Sequence, residues 1–263
     1  LIKAKLLTAS GGDPDLYIGE REYTSAGTFE FTVPLGVRRI HACCIGAGGA
    51  YSGTAGDGGG GGGLAWTNDI EVEPGETLTV KVGATATSGG DSSLERGGVF
   101  IIKAYGGTRN GGGFALGSGV SGGGGSGGGG GRTVSYSEGS QYLGAGGGAG
   151  GYMGNGGSAN QGAADENSGA GSGGDRYQMS NGITLGAQAG GVGGGVGIKG
   201  RGATGAQLPE LQNSSGRNGN PGSGGSGANF GGGNTRDGSG GGAVRIIWGI
   251  RFSYPDNADV EAV

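Results

Sequence analysis

Gly240-Gly-Gly-Ala-Val-Arg-Ile-Ile-Trp-Gly249 passes within three residues from glycine to a β-rich run. Ala243 to Trp248 carries β-branched and aromatic side chains in a block that reads as a strand. The reverse change lies upstream, where Val99-Phe-Ile-Ile-Lys-Ala-Tyr105 gives way to Gly106 and Gly107. Residues 106–242 hold 55 glycines in 137 positions. A glycine-rich block that leaves one strand and returns to another is an insertion held at both ends. That bracket decides the fold.

Working outward, Phe29-Glu-Phe-Thr-Val33 alternates, and Val37-Arg-Arg-Ile-His-Ala-Cys-Cys-Ile45 is β-rich. Leu64-Ala-Trp66 and Asp69-Ile-Glu-Val-Glu73 precede Pro74-Gly75, and Glu76-Thr-Leu-Thr-Val-Lys-Val82 then alternates strictly. Period-2 runs bounded by turn residues predict strands, and the Pro-Gly predicts a hairpin between its neighbours. The expected β-domain comprises 28–106 and 243–255. It leaves 1–27 as a link to a partner, 107–242 as the insertion and 256–263 as a tail.

Glycine is 78 of 263 residues, about 30%, against a usual share near ~7%. Collagen needs a strict G-X-Y period and abundant proline, and neither is present. No apolar run reaches the roughly 18 residues of a membrane-spanning helix, so no membrane insertion is expected. Glycine disfavours helix and strand interiors, which argues against an ordinary α/β enzyme. The net charge of −4 offers no basic excess for nucleic acid. Leu1-Ile-Lys-Ala-Lys-Leu-Leu7 reads as too short and too interrupted by polar residues for a signal peptide.

The glycines carry a period of three. Gly53, Gly56, Gly59 and Gly62 form one set, Gly148, Gly151, Gly154 and Gly157 another, and Gly191, Gly194, Gly197 and Gly200 a third. Polyproline II has three residues per turn. Glycine along one edge of such a helix admits a close neighbour, and the free N–H and C=O groups can bond sideways. The alternative is a flexible glycine-rich linker. The expected fold class is mostly β and irregular: a small antiparallel β-domain with an inserted bundle of packed polyglycine, polyproline II-type, helices.

Phe31-Thr-Val-Pro-Leu-Gly-Val37 with Ile45-Gly-Ala-Gly-Gly49, then Val72-Glu-Pro-Gly-Glu-Thr-Leu-Thr-Val-Lys-Val-Gly83, resembles the glycine-rich C-terminal domain of tailed-phage tail-fibre proteins. The run from Gly240 to Gly249 is similar to that family's C-terminal signature. Arg251 and Tyr254-Pro255 stand near its Arg and aromatic-Pro, although the loop differs. In style, 108–237 resembles the distal adhesins of T-even-like phages. The resemblance implies a virion location, layered polyglycine II helices and variable tip loops. Its implied partners are a bacterial surface receptor, either an outer-membrane protein or a polysaccharide, and the rest of the tail fibre. Fibre proteins often act as trimers, so a homotrimer is a further expectation, although no trimer seam is visible in the sequence.

If each glycine run is one rod, turns alternate between a far end and the β-domain. The expected distal turns are 132–143, 175–185 and 228–237, and 158–168 and 206–215 are proximal. The distal turns carry Arg132, Tyr136, Tyr142, Arg176, Tyr177, Met179, Phe230 and Arg236, whereas the proximal ones carry no aromatic or basic residue. Tyr, Arg and Met are enriched at recognition surfaces, so these eight are the candidate receptor-binding residues. The alternative is that they pack the ends of the bundle.

Other chemistry is thin. GxGxxG recurs without a strand-to-helix context, and no cofactor is expected. His41 is the one histidine and reads as a plain strand residue, which leaves a nucleophile without a base. Asp165-Glu-Asn167 reads as a solvated turn, not a calcium site. Adjacent Cys43 and Cys44 would face opposite sides of a strand, one buried and one not, with no disulfide between them. A binding module without catalysis is the leading reading. A structural or ice-binding polyglycine protein and a capsule-degrading enzyme are the competitors.

Overall fold

Alternation from Thr77 to Val82 sets one face of a sheet: Leu78, Val80 and Val82 are buried, while Thr77 and Lys81 are exposed. A computed structural model describes residues 18–49, 58–86, 88–108, 122–127, 129, 146–158, 195–199, 240–256 and 258, and traces the backbone of 115–117, 134–135, 141–143 and 177–179. The strands in chain order are β1 (Gly19–Tyr23), β2 (Gly27–Thr32), β3 (Arg39–Ile45), β4 (Leu64–Glu71), β5 (Thr77–Val82), β6 (Ser92–Arg96) and β7 (Val99–Ala104). They continue with β8 (Ala115–Gly117), β9 (Gly122–Gly125), β10 (Val134–Ser135), β11 (Gln141–Leu143), β12 (Tyr177–Met179) and β13 (Ala243–Trp248). No helix occurs among the described residues.

Two five-stranded antiparallel sheets carry the fold, with orders β1-β13-β3-β4-β9 and β2-β5-β6-β7-β8. Phe31, Ile40, Cys44, Leu78, Val80, Leu94, Ile102, Val244 and Ile246 fill the core between them. Each such large side chain contributes about 1.5–3 kcal/mol by burial. The first sheet is covered on its other face too. There Cys43, Ile45, Leu64 and Ile247 pack under Ala149, Tyr152, Val196, Phe252 and Tyr254. All six residues of β13 are buried for that reason.

This second layer corrects the expectation for the cysteines. Cys43 and Cys44 do face opposite sides, but both sides are interior, and both thiols are free and buried. Gly19–Tyr23, read from the sequence as part of a link, pairs along its length with β13.

The Pro74-Gly75 turn is also not a hairpin. It forms, with Glu76 N–H donating to Glu73 O at 2.9 Å and Gly75 at φ +84°. The strands it joins lie in different sheets, because β4 pairs with β3 and β9 while β5 pairs with β2 and β6. The tight hairpin is β6–β7, where Gly97 and Gly98 sit at φ +56° and +83° and Arg96 pairs with Val99. Positive φ at both central residues is the two-residue turn whose twist suits a hairpin.

Between Ile40 and Ala42 the β3–β4 register shifts, and Asp69 takes φ +56°. An extra residue in one strand leaves a backbone group without a ladder partner. Here Asp69 N–H donates to His41 Nδ1 at 3.2 Å. The neighbouring Asn68 donates to Tyr254 O and accepts from Tyr254 N–H, at 2.8 and 2.9 Å. The bulge therefore pins the C-terminal segment over the outer face of the first sheet.

The glycine segments that are described bond sideways in threes. Gly46 N–H donates to Gly63 O and Gly49 N–H to Gly60 O, both at 2.9 Å. The two donors between them turn elsewhere, Ala47 to Gly90 O at 3.0 Å and Gly48 to Gly240 O at 2.9 Å. The same step of three recurs in Gly60 to Thr108 with Gly63 to Tyr105, in Gly147 to Gly59 with Gly150 to Gly62, and in Gly148 to Gly157 with Gly151 to Gly154. A strand would return to the same neighbour every second residue, whereas a three-residue turn returns every third. Residues 46–49 and 58–63 are buried, so these bonds satisfy interior backbone that no sheet ladder serves. A Cβ on Gly61 would collide with the carbonyl oxygen of Gly148, and one on Gly62 with that of Gly46. Most of the bundle expected over 107–242, the turn at 158–168 beyond Ser158, and the turn at 206–215 lie outside the described residues.

Candidate functional site

Strand registers give the β-sandwich a direction. Ile45 ends β3 opposite Leu64 and Ala243, Val82 ends β5 opposite Gly27, and Ser92 pairs with Ala104. These residues mark the glycine end, where 46–49, 60–63, 83–84, 89–90, 105–108 and 240–242 are bonded together. The opposite end, called the base below, holds the loop 33–38, the turn 73–76 and the β6–β7 turn. There Val72 N–H donates to Arg38 O and Val33 N–H to Glu76 O. Gly19 pairs with Trp248, so the chain reaches β1 from the base.

Three of the eight candidate residues fall on described backbone. Tyr142 lies in β11, between Val134 of β10 and Gln178 of β12. Tyr177 pairs with Leu143, and Met179 with Gln141. β10 and β11 are the two arms of the turn expected at 132–143, and β12 belongs to the turn expected at 175–185. Segments more than thirty residues apart are thus neighbours in one three-stranded sheet, β10-β11-β12. Arg132, Tyr136, Arg176, Phe230 and Arg236 lie outside the described residues, as does Asp165-Glu-Asn167.

A second cluster ties glycine segments to the β-domain, and sequence reasoning missed it. Arg245, in the middle of β13, is fully buried. Its Nε lies 2.9 Å from Glu20 Oε2 and 3.2 Å from Glu22 Oε1, and its Nη2 also pairs with Glu20. Its Nη1 donates to Ile198 O at 3.5 Å. Beside it, Tyr152 OH donates to Gly197 O at 3.0 Å, and Trp66 Nε1 donates to Tyr152 O at 2.8 Å. The Tyr152 and Tyr254 rings stack with centroids 5.8 Å apart. One signal was available in the sequence: an arginine inside Ala-Val-Arg-Ile-Ile-Trp must find acidic partners if that strand is buried.

Burial also sets the chemistry of this layer. It pushes the Cys43 thiol up to about 12, against weaker opposing pulls from Tyr152 and Arg245, and it raises Cys44 as well. Neither is a thiolate at neutral pH, so neither serves as a nucleophile. The Tyr254 phenol is raised by the same desolvation. Burial holds the His41 imidazole below its ordinary value, opposed by Asp69. Among the described residues, no three His, Cys, Asp or Glu side chains gather as metal ligands.

Among curated proteins, none matches the chain. The sequence model of the glycine-rich domain family matches residues 24–249, a span that takes in β2 through β13 and every glycine segment between them. The chain belongs to that glycine-rich domain family.

Proposed function

We propose that the protein is the tip of a phage tail fibre. It binds a bacterial surface receptor through turns at the far end of a polyglycine II bundle and so begins attachment to the host. In this reading the three-residue register at 46–49, 60–63 and 147–157 continues through 107–242 as packed rods. The protein acts outside the cell, on the virion, and its activity is binding without catalysis.

The observation that supports this best is the direction of the fold. The chain arrives at the base, and glycine segments 46–49, 60–63, 83–84, 89–90, 105–108 and 240–242 are bonded at the opposite end, while Tyr152 and Val196 of two others pack beside the first sheet. A shaft leading into the base would leave those segments, and the turns beyond them, facing away from it. The β10-β11-β12 sheet adds a second support, because it joins two turns expected at the same end, with Tyr142 paired to Gln178 and Tyr177 to Leu143 on adjacent strands. Tyrosine offers a large contact area with a polar handle at low conformational cost.

The test is binding of the labelled full chain to a panel of intact bacterial strains, for wild type and for Tyr142→Ala/Tyr177→Ala, with a circular-dichroism melt of each. Saturable, strain-selective binding that the double variant loses while its melt is unchanged supports the reading. A cooperative melt with no saturable binding by wild type rejects it and leaves a structural fibre segment.

A further inference from the structure

The entering chain is held by an edge strand. β1 pairs along its whole length with β13 and, among the described residues, with no other strand. Side chains fix both of its ends. The Trp248 indole lies where a Cβ on Gly19 would be, so the ring closes over the start of the strand. Tyr23, at the other end, is buried in the core with its ring 5.3 Å from that of Phe29, and its hydroxyl donates to Glu30 O at 3.4 Å. Between them Glu20 and Glu22 hold the buried Arg245.

Strand direction decides how this contact meets a load. β1 runs from Gly19 at the base to Tyr23 at the glycine end, and β2 returns from Gly27, opposite Val82, to Thr32. Ladder hydrogen bonds of an antiparallel pair stand perpendicular to the strands. A pull on the chain ahead of Gly19, along the strands and away from the glycine end, therefore loads all five residue pairs of β1 and β13 in shear at once. β2 offers no such resistance. Were β1 to slip, the same pull would reach Gly27, at the far end of β2, and peel that strand from β5 one pair at a time. Among the described residues, the β1–β13 ladder is the one contact between the entering chain and the sandwich that is loaded in shear. Arg245 adds bonds of fixed geometry, which apolar burial, being non-directional, does not supply.

We propose that β1 is a mechanical clamp, which bears tension between the chain entering at the base and whatever holds the glycine end. Forced unfolding is governed by the rate of rupture and not by equilibrium stability. The clamp is therefore a property separate from the cost of breaking the buried ion pair. The inference rests on the fold, and it holds or fails whatever the glycine end recognises.

Single-molecule force spectroscopy of the full chain tests it, with one tether at the N-terminus. A second tether at Ala84, exposed just beyond β5 at the glycine end, pulls β1 in shear. A second tether at Ile250 instead, exposed just beyond β13 at the base, peels the same pair from its Gly19–Trp248 end. The first rupture is expected at a force at least about twofold higher in shear than in peeling, because the pairs break together and not in turn. Glu20→Leu/Arg245→Met, with its stability in urea measured alongside, is expected to lower the shear force by about a third and the peeling force by less. Equal wild-type forces in the two geometries overturn the proposal. A double variant of near-native stability that keeps the full shear force overturns the part given to Arg245. The wild-type comparison decides the proposal by itself if that variant does not fold.

Discussion

The Arg245 guanidinium is fully buried and holds Glu20, 225 residues away in sequence, at 2.9 Å through Nε. One side chain thereby joins the strand that brings the chain in, the strand that closes the sandwich and the glycine segment at Ile198. Desolvating a guanidinium is costly, and the carboxylates of β1 offset that cost.

Glu20→Ala should therefore destabilise strongly. Removing one partner of a buried pair costs about 3–5 kcal/mol, and Glu22 at 3.2 Å should keep the loss near the low end, about 3 kcal/mol. Urea denaturation measures it. The double replacement Glu20→Leu/Arg245→Met should recover most of that loss, because no charge is then left in the interior. A double variant as unstable as the single one would contradict the account.

Glycine substitutions should divide into two classes. Gly46→Ala and Gly61→Ala drive a methyl into backbone carbonyls, of Tyr105 and Gly148 respectively. Each should cost about 1–3 kcal/mol or more. Gly197 and Gly241 have nothing within 4 Å of an added Cβ. Alanine there should be neutral, or should stabilise by about 0.4–1 kcal/mol through the unfolded chain. Thermal melts of the four variants separate a packed lattice from a slack one.

Cys43 and Cys44 should be invisible to a thiol reagent in the native protein. With Cys43 pushed up to about 12 and both thiols buried, labelling at pH 8 should wait for unfolding. Both should react promptly in denaturant. Prompt native labelling of either one would mean that the layer formed by Tyr152 and Tyr254 opens easily.

Stability should rise with pH across the titration of His41. Its folded value lies below 6.5 because burial penalises the imidazolium, so the unfolded state binds the proton more readily. The contribution is complete above 6.5 and is lost as pH falls toward the folded value. His41→Asn should flatten that part of the stability–pH curve. An unchanged slope would show that other groups control it.

The strands were legible because their signal is local. Thr77 to Val82 alternates, and Ala243 to Trp248 is unbroken, and each forms the strand its pattern predicts. The step of three at Gly148, Gly151, Gly154 and Gly157 was legible too, but these four do not line one edge of one rod: the chain folds back, so that Gly148 bonds Gly157 and Gly151 bonds Gly154. What distant segments decide was not. A Pro-Gly turn looks the same whether it returns to its own sheet or crosses to the other. Cys43 and Cys44 were placed on opposite faces correctly, but the cover over the second face comes from Tyr152, Val196, Phe252 and Tyr254. Glu20 gave no sign of its role, since its partner lies at the far end of the chain. Nor did any local pattern announce that the segments of Tyr142 and Tyr177 would lie in adjacent strands, where Tyr142 pairs with Gln178 and Tyr177 with Leu143.

The three-way bonding of the glycine segments restricts how such a molecule can change length. Successive donors point about a third of a turn apart, so Gly46, Ala47 and Gly48 address three different neighbours before Gly49 returns to the first. Inserting one or two residues into a segment would redirect every later donor away from its acceptor. Inserting three would restore the alignment one step further along. Growth and shortening inside the rods should therefore come in triplets, while turns between rods can vary residue by residue. A lineage could remodel the turns freely and still inherit the same frame, with triplet arithmetic as the record of where the frame runs.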